Sequence, residues 1–160
     1  MITARILGNS KGPLPVTQDT REQQPYKFPA AFADIEKQAL AVGDYALRGD
    51  EIGCTIERKS IGDLIGSVTS GHLESQLARM RDAFGDLLII VVVDGDKQAF
   101  CDWPNWKKMK RATPAWVFSE LYRLAYAHRV CVDWNPSRHW AGVSTLRWLR
   151  TRQKAEGGAT

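Results

Sequence analysis

Leu87-Leu88-Ile89-Ile90-Val91-Val92-Val93 is a continuous apolar run with five β-branched residues, bounded by Gly85-Asp86 before it and Asp94-Gly95 after it. Apolar residues at both odd and even positions require burial on both faces of a sheet, and seven residues is strand length rather than helix length. The run is therefore predicted to be the central strand of a sheet covered on both sides. Upstream, Leu73, Leu77, Met80 and Phe84 recur at helical spacing, with Gln76 and Arg79 on a different face. Downstream, Pro114 opens a helix to His128, residues 129–134 form a short strand, and Asn135-Pro136-Ser137 leads into a last helix ending near Lys154. Strand, helix and strand in that order imply an α/β crossover, right-handed by the usual rule.

The first half has a different texture, with short strand-like runs at residues 15–19, 35–40, 44–47 and 53–58 separated by turn residues. The expected architecture is α/β, a central mixed β-sheet flanked by α-helices. A chain of 160 residues is one domain's worth of protein, assigned to residues 1–152, with 153–160 and its Gly-Gly pair as a frayed tail. Residues 99–112 read as irregular and basic.

The net charge of +4 conceals a division. Residues 1–100 hold 11 Lys and Arg against 14 Asp and Glu, or −3, and residues 101–160 hold 11 against 4, or +7. A one-sided basic surface suits a polyanion, nucleic acid first, or is a solvated helix face. Cys54, Cys101 and Cys131 are odd in number and lack CxxC spacing, against a disulfide framework or zinc site. Residues 1–10 do not resemble a signal peptide and no run is long enough to span a membrane, so an intracellular protein, in cytoplasm or nucleoid, is expected.

Arg48-Gly49-Asp50-Glu51 is a turn signal between two strand-like runs. Centring the hairpin between Asp50 and Glu51 sets Asp44 opposite Glu57. Directly opposed Cβ atoms lie about 5 Å apart, so the two carboxylates repel unless a cation sits between them. Mg²⁺ takes one or two carboxylates and keeps waters for chemistry. The two-residue period adds Lys59 to the face of Glu57 and turns Arg58 away. A metal there would polarise a phosphodiester oxygen while the ammonium orients water. The same residues could equally form a surface hairpin with weak ion pairs. Ser60-Ile61-Gly62-Asp63 fits a helix-capping box, and Asp19 could be a turn former.

Asp19-Thr20-Arg21-Glu22, Gly43-Asp44-Tyr45, Ile56-Glu57-Arg58-Lys59-Ser60, Asp63, Gln76 and Arg79 together resemble the nuclease domain of the XPF family of structure-specific endonucleases. That family's hallmark is Gly-Asp, a variable gap, Glu-Arg-Lys, three residues and Asp. The resemblance covers most of the chain, in a stand-alone form, and implies a restriction-endonuclease-like fold of the PD-(D/E)XK superfamily. It implies a DNA endonuclease dependent on Mg²⁺, for which Mn²⁺ substitutes, acting on branched or otherwise structured DNA in repair, recombination or replication. By position, Asp44 and Glu57 would be metal ligands with the Arg58 carbonyl as a third, Asp19 a further acidic group near the metal, and Lys59 the residue that orients water. Glu22, Arg58 and Asp63 would support the site or contact DNA, and Gln76 and Arg79 would lie beside the scissile phosphate. No nucleotide cofactor is expected. The contrasting reading is a catalytically silent DNA-binding or scaffold subunit acting with a partner nuclease.

Lys107, Lys108, Lys110 and Arg111 follow Trp103 and Trp106, which suits phosphate contact with base stacking or a loop whose tryptophans pack on the sheet. Arg147, Arg150 and Lys154 fall on one side of the last helix. The helix from Pro114 has one apolar face through Val117, Leu121 and Leu124 and another through Phe118, Tyr122 and Tyr126. The second face is available to a partner, and relatives commonly dimerise through this domain, so a homodimer is expected.

Overall fold

A computed structural model describes residues 12–157. The expectation about residues 1–10 and the last three residues of the expected tail lie outside the described residues. Six strands form one mixed sheet, β1 (Leu14–Asp19), β2 (Ala33–Gln38), β3 (Tyr45–Leu47), β4 (Asp50–Ser60), β5 (Leu88–Asp94) and β6 (Val130–Trp134), in the spatial order β2-β1-β3-β4-β5-β6. β4, β5 and β6 run parallel, β3 pairs antiparallel with β1 and β4, and β2 is parallel to β1.

The helices are α1 (Ile61–Thr69), α2 (His72–Ala83), α3 (Lys97–Cys101), α4 (Pro114–His128) and α5 (Arg138–Gly157). β5 shows why both faces need covering. Ile90 and Val92 enter one core with Tyr45, Ile56 and Leu146 of α5. Ile89, Val91 and Val93 enter the other with Leu64, Leu77 and Leu121 of α1, α2 and α4. Alternate residues of one apolar run thus supply two cores, as a doubly covered strand requires. Among the described residues no helix is long and apolar enough to cross a membrane.

The strands expected at 35–40 and 53–58 are found at Ala33–Gln38 and Asp50–Ser60, and three further differences bear on the fold. Asp96 accepts a hydrogen bond from the Ala99 N–H at 2.7 Å, and this cap nucleates α3 inside the segment read as irregular. Its Phe100 is fully buried. The last helix continues to Gly157, so residues 153–157 are its final turns, held partly by the Arg152–Glu156 ion pair at 2.8 Å, rather than a tail. The hairpin turn lies at Arg48-Gly49, with Leu47 opposite Asp50 and φ +86° at Gly49. A bulge between Ala46 and Leu47 then shifts the register, so that Tyr45 faces Ile56. The earlier turn and the bulge offset one another, and Asp44 arrives beside Glu57 as expected.

Candidate active site

The site begins with Gly43, whose φ is +72°. A Cβ there would lie 1.9 Å from Thr55 Oγ1 and 3.0 Å from the Ile56 carbonyl oxygen, so only glycine lets the chain press against β4 at this point. The next residue is locked on both sides of its backbone. Asp44 N–H donates to the Ile56 carbonyl at 2.7 Å, and Asp19 N–H donates to the Asp44 carbonyl at 2.8 Å. The Asp44 carboxylate accepts the Arg58 N–H at 2.7 Å.

Asp44 and Glu57 line one cavity of about 560 Å³, bordered also by Asp19, Arg21, Gln76 and Arg79. Burial, reinforced by the neighbouring Glu57 charge, pushes the Asp44 carboxyl up to about 7. Lys59 Nζ donates to Glu57 Oε1 at 2.6 Å, which puts the two side chains on one face of β4. Gln76 Oε1 is buried in the wall without a hydrogen-bond partner, a situation that calls for a water or ligand donor. Arg79 is exposed.

Asp19 shares the cavity wall with Asp44 and Glu57. Arg21 grips it with Nε at 2.9 Å, Nη2 at 2.6 Å and the backbone N–H at 2.6 Å, and Leu40 N–H adds a bond at 2.9 Å. These bonds hold the Asp19 carboxyl below its ordinary value. Among the described residues no group of three His, Cys, Asp or Glu side chains is assembled to hold an ion. Asp19 thus reaches the cavity it shares with Asp44 and Glu57 with its carboxylate engaged by Arg21.

The remaining expected residues spread outward. Asp63 is at the capping box, its N–H bonded to Ser60 Oγ at 3.2 Å and its carboxylate accepting from Ser60 Oγ–H at 2.6 Å, and it does not line the cavity. Arg58 passes to the opposite face, where its guanidinium meets Asp94 at 2.5 Å and Glu22 at 3.6 Å. Asp94 gives no signal in the sequence, because an Asp before Gly reads as a turn former. It also accepts Tyr26 Oη–H at 2.6 Å and an Arg138 N–H at 3.2 Å.

Lys107, Lys108, Lys110 and Arg111 are exposed and lie outside the cavity wall. Their tryptophans pack instead of projecting: Trp106 donates Nε1–H to the Phe100 carbonyl at 2.7 Å, and a Cβ on Gly62 would come within 3.6 Å of the Trp103 indole. Packing therefore takes up the pair that base stacking would have needed, while the lysines remain open to phosphates. Arg150 is buried, so the basic side of α5 consists of the exposed Arg147 and Lys154.

The two acids, the paired ammonium and the open cavity suit a hard divalent cation. Two carboxylates forced together, one resisting ionisation, is the arrangement a cation relieves. The chain is similar to known proteins both in sequence and in fold. The ERCC4 domain family model matches residues 18–141. DNA repair endonuclease XPF of Cricetulus griseus is 32% identical over 123 residues, covering 76% of this chain but only 13% of that relative's length. In structure, XPF from Aeropyrum pernix aligns with a TM-score of 0.65 at 16% identity, over 89% of this chain and 68% of the other. XPF from Aeropyrum pernix in complex with DNA aligns with a TM-score of 0.63 at 19% identity, over 88% and 66%. Those likenesses establish a restriction-endonuclease-like fold of the XPF nuclease-domain kind. Because the family match runs over most of the chain, from Asp19 through Asp44 and Glu57 to the start of α5, the chain belongs to the ERCC4 domain family.

Proposed function

We propose that this chain is a metal-dependent DNA endonuclease acting on branched or otherwise structured DNA. The observation that carries the reading is the pair Asp44 and Glu57, side by side in an open cavity with Lys59 bonded to Glu57. Asp44 and Glu57 would hold Mg²⁺, or Mn²⁺ in its place, and the ion would supply Lewis-acid polarisation of a phosphodiester oxygen and a more acidic water. Lys59, bonded to Glu57, would donate to an attacking water and orient it. Arg79 and Arg21 border the cavity as cations able to offset charge on non-bridging oxygens. Gln76 keeps an unpaired amide oxygen for a water in the same space.

Homodimerisation is part of the proposal. Phe118 is half-buried, its ring 4.5 Å from Phe100 and 5.6 Å from Trp134, and it lines a surface groove beside Tyr122. Tyr122 and Tyr126 remain outside, with 65% and 90% exposure, joined by Trp116 at 43%.

Labelled duplex, flap, fork and junction DNAs, incubated with Mg²⁺ or with EDTA, test the reading. Cleavage abolished by EDTA and by Asp44→Ala or Glu57→Ala is expected. Cleavage of none of these DNAs by the parent chain would favour a silent scaffold subunit instead.

A further inference from the structure

A second cavity, of about 290 Å³, lies between the segment that precedes β2 and the first turns of α5. Phe28, Pro29 and Val143 supply apolar walls, while Lys27, Arg138 and His139 supply its polar lining. Among the described residues no acidic side chain lines it. Lys27, Arg138 and His139 are exposed, and neither Lys27 nor His139 has an ion-pair partner among the described residues. Arg138 is held in place by Asp94 and by the carbonyls of Gln24 and Pro25, with its guanidinium 5.4 Å from the centre of the Tyr26 ring. Arg138 is thus fixed at the rim by Asp94, Lys27 adds a cation without an ion-pair partner among the described residues, and the first turn of α5 carries no acid.

We propose that this cavity receives one unstacked nucleotide from a single-stranded segment of the substrate, its base in the apolar cleft and its phosphate against Lys27, Arg138 and His139. The inference rests on the DNA-cleaving reading and names the feature of the substrate that this domain grips. A duplex presents phosphates outward and keeps its bases stacked, so the apolar walls would add nothing to its binding. A splayed nucleotide offers an apolar face and an anion together, matching a cleft of this size and charge.

The location relative to the acidic site supports the same conclusion. Glu57 and Lys59 project from one face of β4 and Arg58 from the other. The Arg58 guanidinium meets Asp94, which also binds Arg138 and Tyr26 at the second cavity. The two cavities therefore flank the same end of β4 and β5, where β4 ends at Ser60 and β5 at Asp94. A strand seated in the basic cleft passes over that end of the sheet towards Asp44 and Glu57.

The test is fluorescence anisotropy in EDTA with labelled oligo-dT, blunt duplex and a fork with single-stranded arms, comparing the parent with the double variant Lys27→Glu, His139→Glu. Both positions are exposed, and an unchanged thermal midpoint verifies folding. Binding of oligo-dT and the fork weakens about tenfold or more, and binding of blunt duplex changes less than about twofold. An abasic oligonucleotide of equal length binds the parent at least about fivefold less tightly than oligo-dT. Equal weakening across all three DNAs, no weakening in any, or equal affinity for abasic and dT strands overturns the cleft. If the parent cleaves DNA and the cleft fails, the nuclease reading stands. If the parent neither binds nor cleaves any of the DNAs, that reading fails and takes the cleft with it.

Discussion

Arg58 reaches Asp94 across 2.5 Å while its own backbone N–H holds the Asp44 carboxylate at 2.7 Å, so one residue ties the acidic cavity to a buried charge cluster on the other face. Asp94 is the acceptor on which that cluster depends, serving Arg58, Arg138 and the Tyr26 hydroxyl. Asp94→Ala would leave the buried Arg58 guanidinium short of its main carboxylate. Loss of one partner of a buried pair costs about 3–5 kcal/mol. Urea denaturation should show the midpoint falling by that equivalent with an unchanged slope, and Asp94→Asn should fall between parent and Ala.

Asp44 gives a pH-dependent expectation of known sign. Its carboxyl is raised from 3.8 to about 7 by burial and by Glu57. The unfolded chain releases this proton near 3.8, whereas the fold retains it until about 7. The stability contributed by the protonated carboxyl is therefore complete below about pH 4 and is lost as pH rises through 7, a total of at most about 4 kcal/mol and less where the group meets solvent. In EDTA, Asp44→Asn should raise the thermal midpoint at about pH 8 and have little effect at about pH 4. A midpoint lowered at the higher pH would show that the two carboxylates do not repel in the fold.

Lys59 and Glu57 separate water orientation from metal holding. The Lys59 ammonium is paired with Glu57 alone among the described residues, so Lys59→Ala should fold normally and cut kcat by about 10²–10³-fold. Mn²⁺ titration by calorimetry should show affinity retained or strengthened, since Glu57 loses a competing cation. Glu57→Gln should lose both the affinity and the activity. Loss of Mn²⁺ binding in Lys59→Ala would assign the lysine a structural part instead.

Much of this is legible from residue patterns, for reasons that differ by element. β5 announces itself because a strand covered on both faces has no solvent side for polar residues, and a run of seven is too uniform for an amphipathic helix and too short for a membrane span. Asp44, Glu57 and Lys59 are legible because a two-residue period fixes faces, even though the turn falls earlier in the chain than the spacing suggests and a bulge restores the pairing. Asp94 is not, since its partners Tyr26 and Arg138 come from 68 and 44 residues away and leave no local signature. The same long-range packing sets the half-buried Phe118 against Phe100 and Trp134 and covers Trp103 and Trp106, which helical spacing alone leaves ambiguous.

Gly43 and Gly49 make a matched comparison, because both hold positive φ but only Gly43 is crowded. Gly49→Ala meets nothing within 4 Å and should cost only the backbone strain, about 1 kcal/mol. Gly43→Ala adds a 1.9 Å clash with Thr55 Oγ1 to that strain and should cost about 2 kcal/mol or more. Because Asp44 follows directly, Gly43→Ala should also depress cleavage beyond what the lost stability explains. Thermal melts and rates at a temperature where both variants are folded distinguish the two contributions.

The face of α4 that carries Tyr122 and Tyr126 adjoins a shallow groove of about 170 Å³ between α4 and β6, lined by Leu121, Val132 and Trp134 among others. Two tyrosines exposed beside an apolar groove form a surface with an apolar body and hydroxyl tips, the composition enriched in protein interfaces. On the proposed dimer, the double variant Tyr122→Glu, Tyr126→Glu should sediment as a monomer at micromolar concentration while the parent sediments as a dimer. Because neither side chain belongs to the packed core, its melting midpoint at high dilution should match the parent's. A parent that is monomeric at micromolar concentration, or a variant that remains dimeric, would remove this face from self-association and leave the tyrosines as isolated surface residues.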